Sequence, residues 1–186
     1  MQNRIDTISR ITQKKGYFAF LILAALLWFS SGAGAQQGPP MPPDVPEGVE
    51  FYENEGHGHI REGTRSFYKT DPPTSGPHDP RWLPPSVYEA SETRPELLVH
   101  NLEHGNIVLY FDRSALSAEE VKWLKDLTHK YLGQWDGMLM VTRDDKEHPV
   151  IVTAWRAILR LKGLDKKKVL EFVDAFRGRG PENPVR

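Results

Sequence analysis

Seven of the chain's fifteen prolines fall between residues 71 and 95. Proline donates no backbone hydrogen bond and holds φ at about −65°, so this stretch enters neither a helix interior nor a central strand. It reads as a long loop, and a long loop inside a compact domain is usually either a site or disorder. Pro72-Pro73-Thr74-Ser75-Gly76-Pro77-His78 lies within it, and His100-Asn101-Leu102-Glu103-His104-Gly105 follows just beyond. Trp82 and Tyr88 are the side chains expected to pin the loop to the body.

Regular patterning begins at residue 97. Ile107-Val108-Leu109-Tyr110-Phe111 is a β-branched and aromatic run, hence a buried strand. Ser117-Ala118-Glu119-Glu120 is a capping box opening a helix with Val121, Leu124, Leu127, Thr128 and Tyr131 at helical spacing, ended by Gly133. Met138–Thr142 reads as a strand and Val150–Trp155 as its hairpin partner, joined by a polar turn. Asp165 caps a last helix with Val169, Phe172, Val173 and Phe176 on its apolar face. Short edge strands are expected at Val49–Tyr52 and Arg65–Tyr68, with a turn at His57-Gly58-His59. The order predicts an α+β fold: a small, mostly antiparallel sheet with two helices packed on one face, preceded by the long Pro-rich ordered loop.

The N-terminal part reads differently. Arg4, Arg10, Lys14 and Lys15 precede Tyr17–Phe29, a 13-residue run without a charge, and Ala33-Gly34-Ala35 supplies small residues for cleavage. Residues 1–35 are expected to be a signal peptide cut after Ala35, placing the remainder in the periplasm or outside the cell. A spanning helix needs roughly 20 apolar residues, and the alternative is an uncleaved anchor as the chain's sole membrane contact. Residues 36–48 form a Pro-rich linker, and 49–183 a single globular domain. Beyond residue 35 the chain carries 20 basic and 24 acidic residues. With no basic stripe to neutralise phosphates, nucleic acid is excluded as a partner.

The chain has no cysteine, so a metal site must use His, Asp, Glu, Met or backbone oxygen. Met138 and Met140 share a strand face and read as core. His100 and His104 share an ion only if Leu97–His104 curls into a helical turn, since positions i and i+4 lie ~6 Å apart on a helix but ~13 Å apart on a strand. His78, on the stiff loop, offers a third nitrogen and His59 a fourth, with His57 a weaker choice. Glu103 serves as ligand or as acceptor fixing an imidazole, unless it pairs instead with Arg65 or Arg81. Copper or zinc suits imidazole donors best. The alternatives are a metal-dependent hydrolase or peptidase using His-x-x-Glu-His, with Glu103 catalytic and Glu171 as the distant carboxylate, and a structural or partner-binding domain without metal. Ser75 beside His78 lacks an orienting acid and reads as a turn hydroxyl.

These same residues carry a resemblance. Tyr68 with Pro72–His78, Val99–Gly105 leading into Ile107–Tyr110, Thr153-Ala154-Trp155 and Gly180-Pro181-Glu182 resemble an uncharacterised bacterial family, domain of unknown function 3105. His59-Ile60 with Glu62-Gly63-Thr64 fits the same pattern, and the likeness spans roughly residues 55–183. It implies export or membrane tethering, marks His59, His78, His100, Glu103 and His104 as family-type positions, and implies no established activity.

Overall fold

A computed structural model describes residue 42 and residues 45–186 of the chain. The expected signal peptide and most of the linker lie outside the described residues. Six strands form one mixed sheet: β1 (Val49–Phe51), β2 (Val87–Tyr88), β3 (Ile107–Phe111), β4 (Met138–Thr142), β5 (Val150–Ala154) and β6 (Ala157–Leu161). Their spatial order is β1-β6-β5-β3-β4-β2. Three α-helices accompany it among the described residues: α1 (Pro95–His104), α2 (Ala118–Thr128) and α3 (Lys166–Phe176). No helix among these residues is long and apolar enough to cross a membrane.

The alternation of β3 explains the layering. Ile107, Leu109 and Phe111 point to one face, where α2 and α3 bury Leu124, Leu127, Phe172 and Val173 against them. Val108 and Tyr110 point to the other, against Leu98, Val99 and Leu102 of α1. A sheet apolar on both faces must be covered on both. The expectation of helices on one face is therefore corrected: α2 and α3 share a face, and α1 takes the opposite one. Tyr68, Leu83 and Tyr88 pack against the α1 side as well, so the Pro-rich segment is part of the second layer.

The sheet is also less antiparallel than expected. β3–β4 and β4–β2 are parallel, while β3–β5, β5–β6 and β1–β6 are antiparallel. The expected β4–β5 hairpin is corrected accordingly. α2 provides the crossover that parallel pairing of β3 with β4 requires, and β5 pairs on the other side of β3. The true hairpin is β5–β6, paired up to Ala154 with Ala157. Its turn lacks glycine; Arg156 itself takes the left-handed φ of 65°. Arg156 is held there because its N–H donates to Thr74 O at 3.0 Å and its O accepts from Tyr52 N at 2.9 Å.

Local predictions fared better than pairings. Ser117 Oγ accepts from Glu120 N at 3.2 Å while Glu120 Oε2 accepts from Ser117 N at 2.8 Å. Asp165 Oδ1 accepts from Lys168 N at 3.1 Å at the start of α3. α2 stops at Thr128, before the Gly133 expected to end it. Arg65–Tyr68 is not a strand. Phe67 there is 98% exposed, and the Tyr68 hydroxyl donates to Pro77 O at 2.8 Å, tying the segment to the loop.

Candidate metal centre

α1 carries the centre. Pro95 sits in its first turn, where a missing N–H costs nothing. Gly105 ends it in the left-handed conformation, φ 93°. Eight of its ten residues are buried, including His100, Asn101, Glu103 and His104. The helical turn required for a shared ion is therefore present.

Asn101 fastens the Pro-rich loop to this helix. Its Oδ1 accepts from Leu83 N at 3.0 Å, and its Nδ2 donates to Leu83 O at 2.8 Å. The loop is also laced to the segment before it. Gly76 N donates to Gly56 O (2.9 Å), His78 N to Gly58 O (3.1 Å) and Ile60 N to His78 O (2.8 Å). This short parallel ladder puts His59 beside His78; the turn expected at His57–His59 is extended chain. Ser75 Oγ accepts from Glu55 N at 2.9 Å, so its hydroxyl ties the loop to the segment before it and does not brace its own turn.

Three imidazoles converge. Ring centroids lie 5.1 Å apart for His59–His78, 4.9 Å for His59–His100 and 5.0 Å for His78–His100. Ligand atoms of His59, His78, His100 and Glu103 all lie within 4.8 Å of one another. His78 and His100 have fixed tautomers. His78 Nδ1 lies 2.8 Å from Gly76 O, and His100 Nδ1 2.8 Å from Asp79 O. A carbonyl can only accept, so each Nδ1 carries a proton and each Nε2 of the neutral ring holds a lone pair. His78 Nε2 faces Glu103 Oε2 at 3.0 Å.

Asp79 supports this arrangement without entering it. Its buried carboxylate accepts from Arg81 Nε, Arg94 Nη2 and Gly63 N. The Arg81 guanidinium, together with those N–H groups, holds it well below the usual carboxylate range. The alternative pairing of Glu103 with Arg65 or Arg81 does not occur. Arg81 pairs with Asp79 and Glu62 instead.

His104 belongs to a second group, with His100 and Glu182, whose ligand atoms also lie within 4.8 Å of one another. Helix geometry separates it from His78. At ~100° per residue, Glu103 falls about 60° to one side of His100 and His104 about 40° to the other. The expected set of His78, His100 and His104 is thus split around His100. His104 Nε2 lies 3.1 Å from Glu182 Oε2, and its ring packs at a tilt against Trp135 and Trp82, with centroids 4.3 Å and 5.4 Å away. His57 stays at the rim, with Nδ1 4.0 Å from Glu103 Oε1.

Burial lowers the proton affinity of His100, and burial with the neighbouring His100 lowers His104 to about 4. Both rings are thus neutral at pH 7 and able to donate lone pairs. Burial, and then the nearby Glu103, raise Glu182.

A family model described as protein of unknown function (DUF3105) matches residues 59–186, more than half of the chain. The chain belongs to the DUF3105 family. The match begins at His59 itself and contains all six residues of the two groups. No curated protein and no solved structure matches the chain.

In this DUF3105 chain Glu182 is the residue that motif reasoning passed over. Its signal was present in Gly180-Pro181-Glu182, but no local spacing ties it to the histidines. The closing tail brings it in. Gly178 N donates to Gly105 O at 2.8 Å and Glu182 N to Glu103 O at 3.2 Å. Gly105 and Gly180 meet backbone to backbone: a Cβ on Gly180 would stand 2.1 Å from Gly105 N. Glu171, the carboxylate considered for a peptidase, is corrected. It lies on α3, whose apolar side packs on the opposite face of the sheet from α1.

Proposed function

We propose that this domain holds one transition-metal ion, copper or zinc, through His59, His78, His100 and Glu103. One observation carries the reading: His78 Nε2 is buried without a hydrogen-bond partner, 3.0 Å from a buried carboxylate oxygen of Glu103, with Nδ1 already committed to Gly76 O. Two acceptors at that distance repel unless a cation or an extra proton lies between them. Donors bound at ~2.1 Å to a common ion stand about 3.0–3.4 Å apart, so the spacing suits an ion. Three imidazoles and one carboxylate make a closed four-donor set of the kind that holds zinc rather than activating water. The bound group joins three pieces of chain: the strand-like segment at His59, the Pro-rich loop at His78, and α1.

A specific observation favours a second reading. His100, His104 and Glu182 form a two-histidine, one-carboxylate group with Glu103 on the same helix, the donor arrangement of a metal-dependent hydrolase. Glu103→Gln distinguishes the two. If Glu103 is a ligand, the variant binds the ion at least ~10-fold more weakly. A variant that keeps full affinity while losing a hydrolytic activity of the native domain supports the hydrolase instead.

The ion is acquired outside the cytoplasm in this account, with residues 1–35 directing export. The support is the basic start, the uncharged run and Ala33-Gly34-Ala35. Intact mass of the exported protein is expected to fit a chain beginning at Gln36. A mass that retains residues 1–35 on membrane-bound protein would show an anchor instead.

A further inference from the structure

We infer that the His100–His104–Glu182 group is a second station for the same ion, not a place for another one. The inference rests on the metal-binding reading above.

The argument turns on His100, which both groups contain. Its Nδ1 donates to Asp79 O at 2.8 Å, leaving Nε2 as its one free donor. A neutral imidazole nitrogen has one lone pair and binds one ion at a time. With an ion in the first group, the second retains only His104 and Glu182, too few donors to hold another ion firmly. Glu103 does not make up the deficit, because Oε2 faces His78 and Oε1 faces His57. The two groups are therefore alternatives for one ion.

They are also adjacent. The His100 and His104 rings lie 4.6 Å apart, and Glu182 Oε2 is 3.9 Å from His100 Nε2 and 3.1 Å from His104 Nε2. An ion passes from one station to the other by exchanging His59, His78 and Glu103 for His104 and Glu182 while His100 keeps hold. The ion is never without a protein ligand during the move, so the barrier is lower than for direct release to water. Each station has one exposed member, His59 in the first and Glu182, 41% exposed, in the second, with the other donors buried. Glu182 rides on the closing tail, not on the sheet or α1, and gives the second station its own opening to solvent. The Trp82 and Trp135 rings wall His104 on its apolar side.

The test loads metal-free full-length protein with zinc ions and follows stoichiometry by titration and exchange with a small chelator by stopped flow. Wild type is expected to take one equivalent. Glu182→Gln, on a half-exposed side chain that tolerates change, is expected to slow uptake and release alike by about tenfold, as one interaction lost at a barrier does. His104→Ala is expected to do the same, whereas His78→Ala weakens binding itself. Two equivalents in wild type would overturn the inference, and so would unchanged exchange rates in both variants. A loss of affinity in Glu182→Gln as large as in His78→Ala would also overturn it. Wild type that binds no zinc would defeat the metal-binding reading and this inference together; the preceding outcomes defeat the inference alone.

Discussion

His100→Ala is expected to abolish metal uptake, because it removes the one donor common to both groups. The loss should exceed the ~10–100-fold typical of an outer partner, since a first ligand goes. A separate and smaller effect comes with it. Asp79 O loses the imidazole that donates to it, and a buried carbonyl left unpaired costs about 1–3 kcal/mol. Isothermal titration of the variant against zinc checks the first effect, and thermal unfolding of the metal-free forms checks the second. The variant should still show strand and helix signals in far-ultraviolet circular dichroism, since β3 and both core layers are built without His100. Retained binding within about threefold of wild type would remove His100 from the site and break the account at its centre.

Chelation carries the second large effect. In the proposed centre an ion would join chain segments that otherwise meet through a few hydrogen bonds, and it would bind the folded state only. At a free metal concentration of ~1,000 times Kd the stabilisation is about 4 kcal/mol. For a domain of this size each kcal/mol moves Tm by roughly 2–4 °C, so chelator should lower Tm by about 8–16 °C. The consequences should be uneven. The core strands supply none of the ligands, and the α2–α3 layer lies on the face away from the ion. The Gly56–Ile60 segment and the Pro-rich loop depend on the ladder between Gly56, Gly58, Ile60 and His78 and on Asn101. Limited proteolysis in chelator should therefore cut first between residues 56 and 82. An unchanged Tm would favour the third possibility raised by the sequence, histidines acting as hydrogen-bond staples of the Pro-rich loop.

Much of this site was legible because its signals are local. Pro95 and Gly105 bracket a helix that the chain between them fills, and the i, i+4 histidines then have to share a face. Seven prolines announced a loop, and its order follows from Thr74, Ser75, His78 and Asp79, all fully buried. The run Ile107–Phe111 read as a buried strand from its composition alone. What failed was non-local. The neighbour of β4 depends on a crossover through α2, and nothing in Met138–Thr142 says which strand lies beside it. β6 was missed because its turn uses Arg156 in a left-handed conformation, held by Thr74 and Tyr52 and not by a glycine. His104 was misgrouped because i, i+4 spacing places two rings together but does not say which side of His100 faces the loop. Glu182 depended on a contact between Gly105 and Gly180, which only the folded chain brings together.

The most direct test of the metal centre is elemental analysis of the domain purified without chelator from the compartment in which it accumulates. The account predicts close to one equivalent of copper or zinc per chain, and none in His100→Ala prepared in parallel. Wild-type protein that carries no metal, and takes up neither copper nor zinc when offered them, would contradict it.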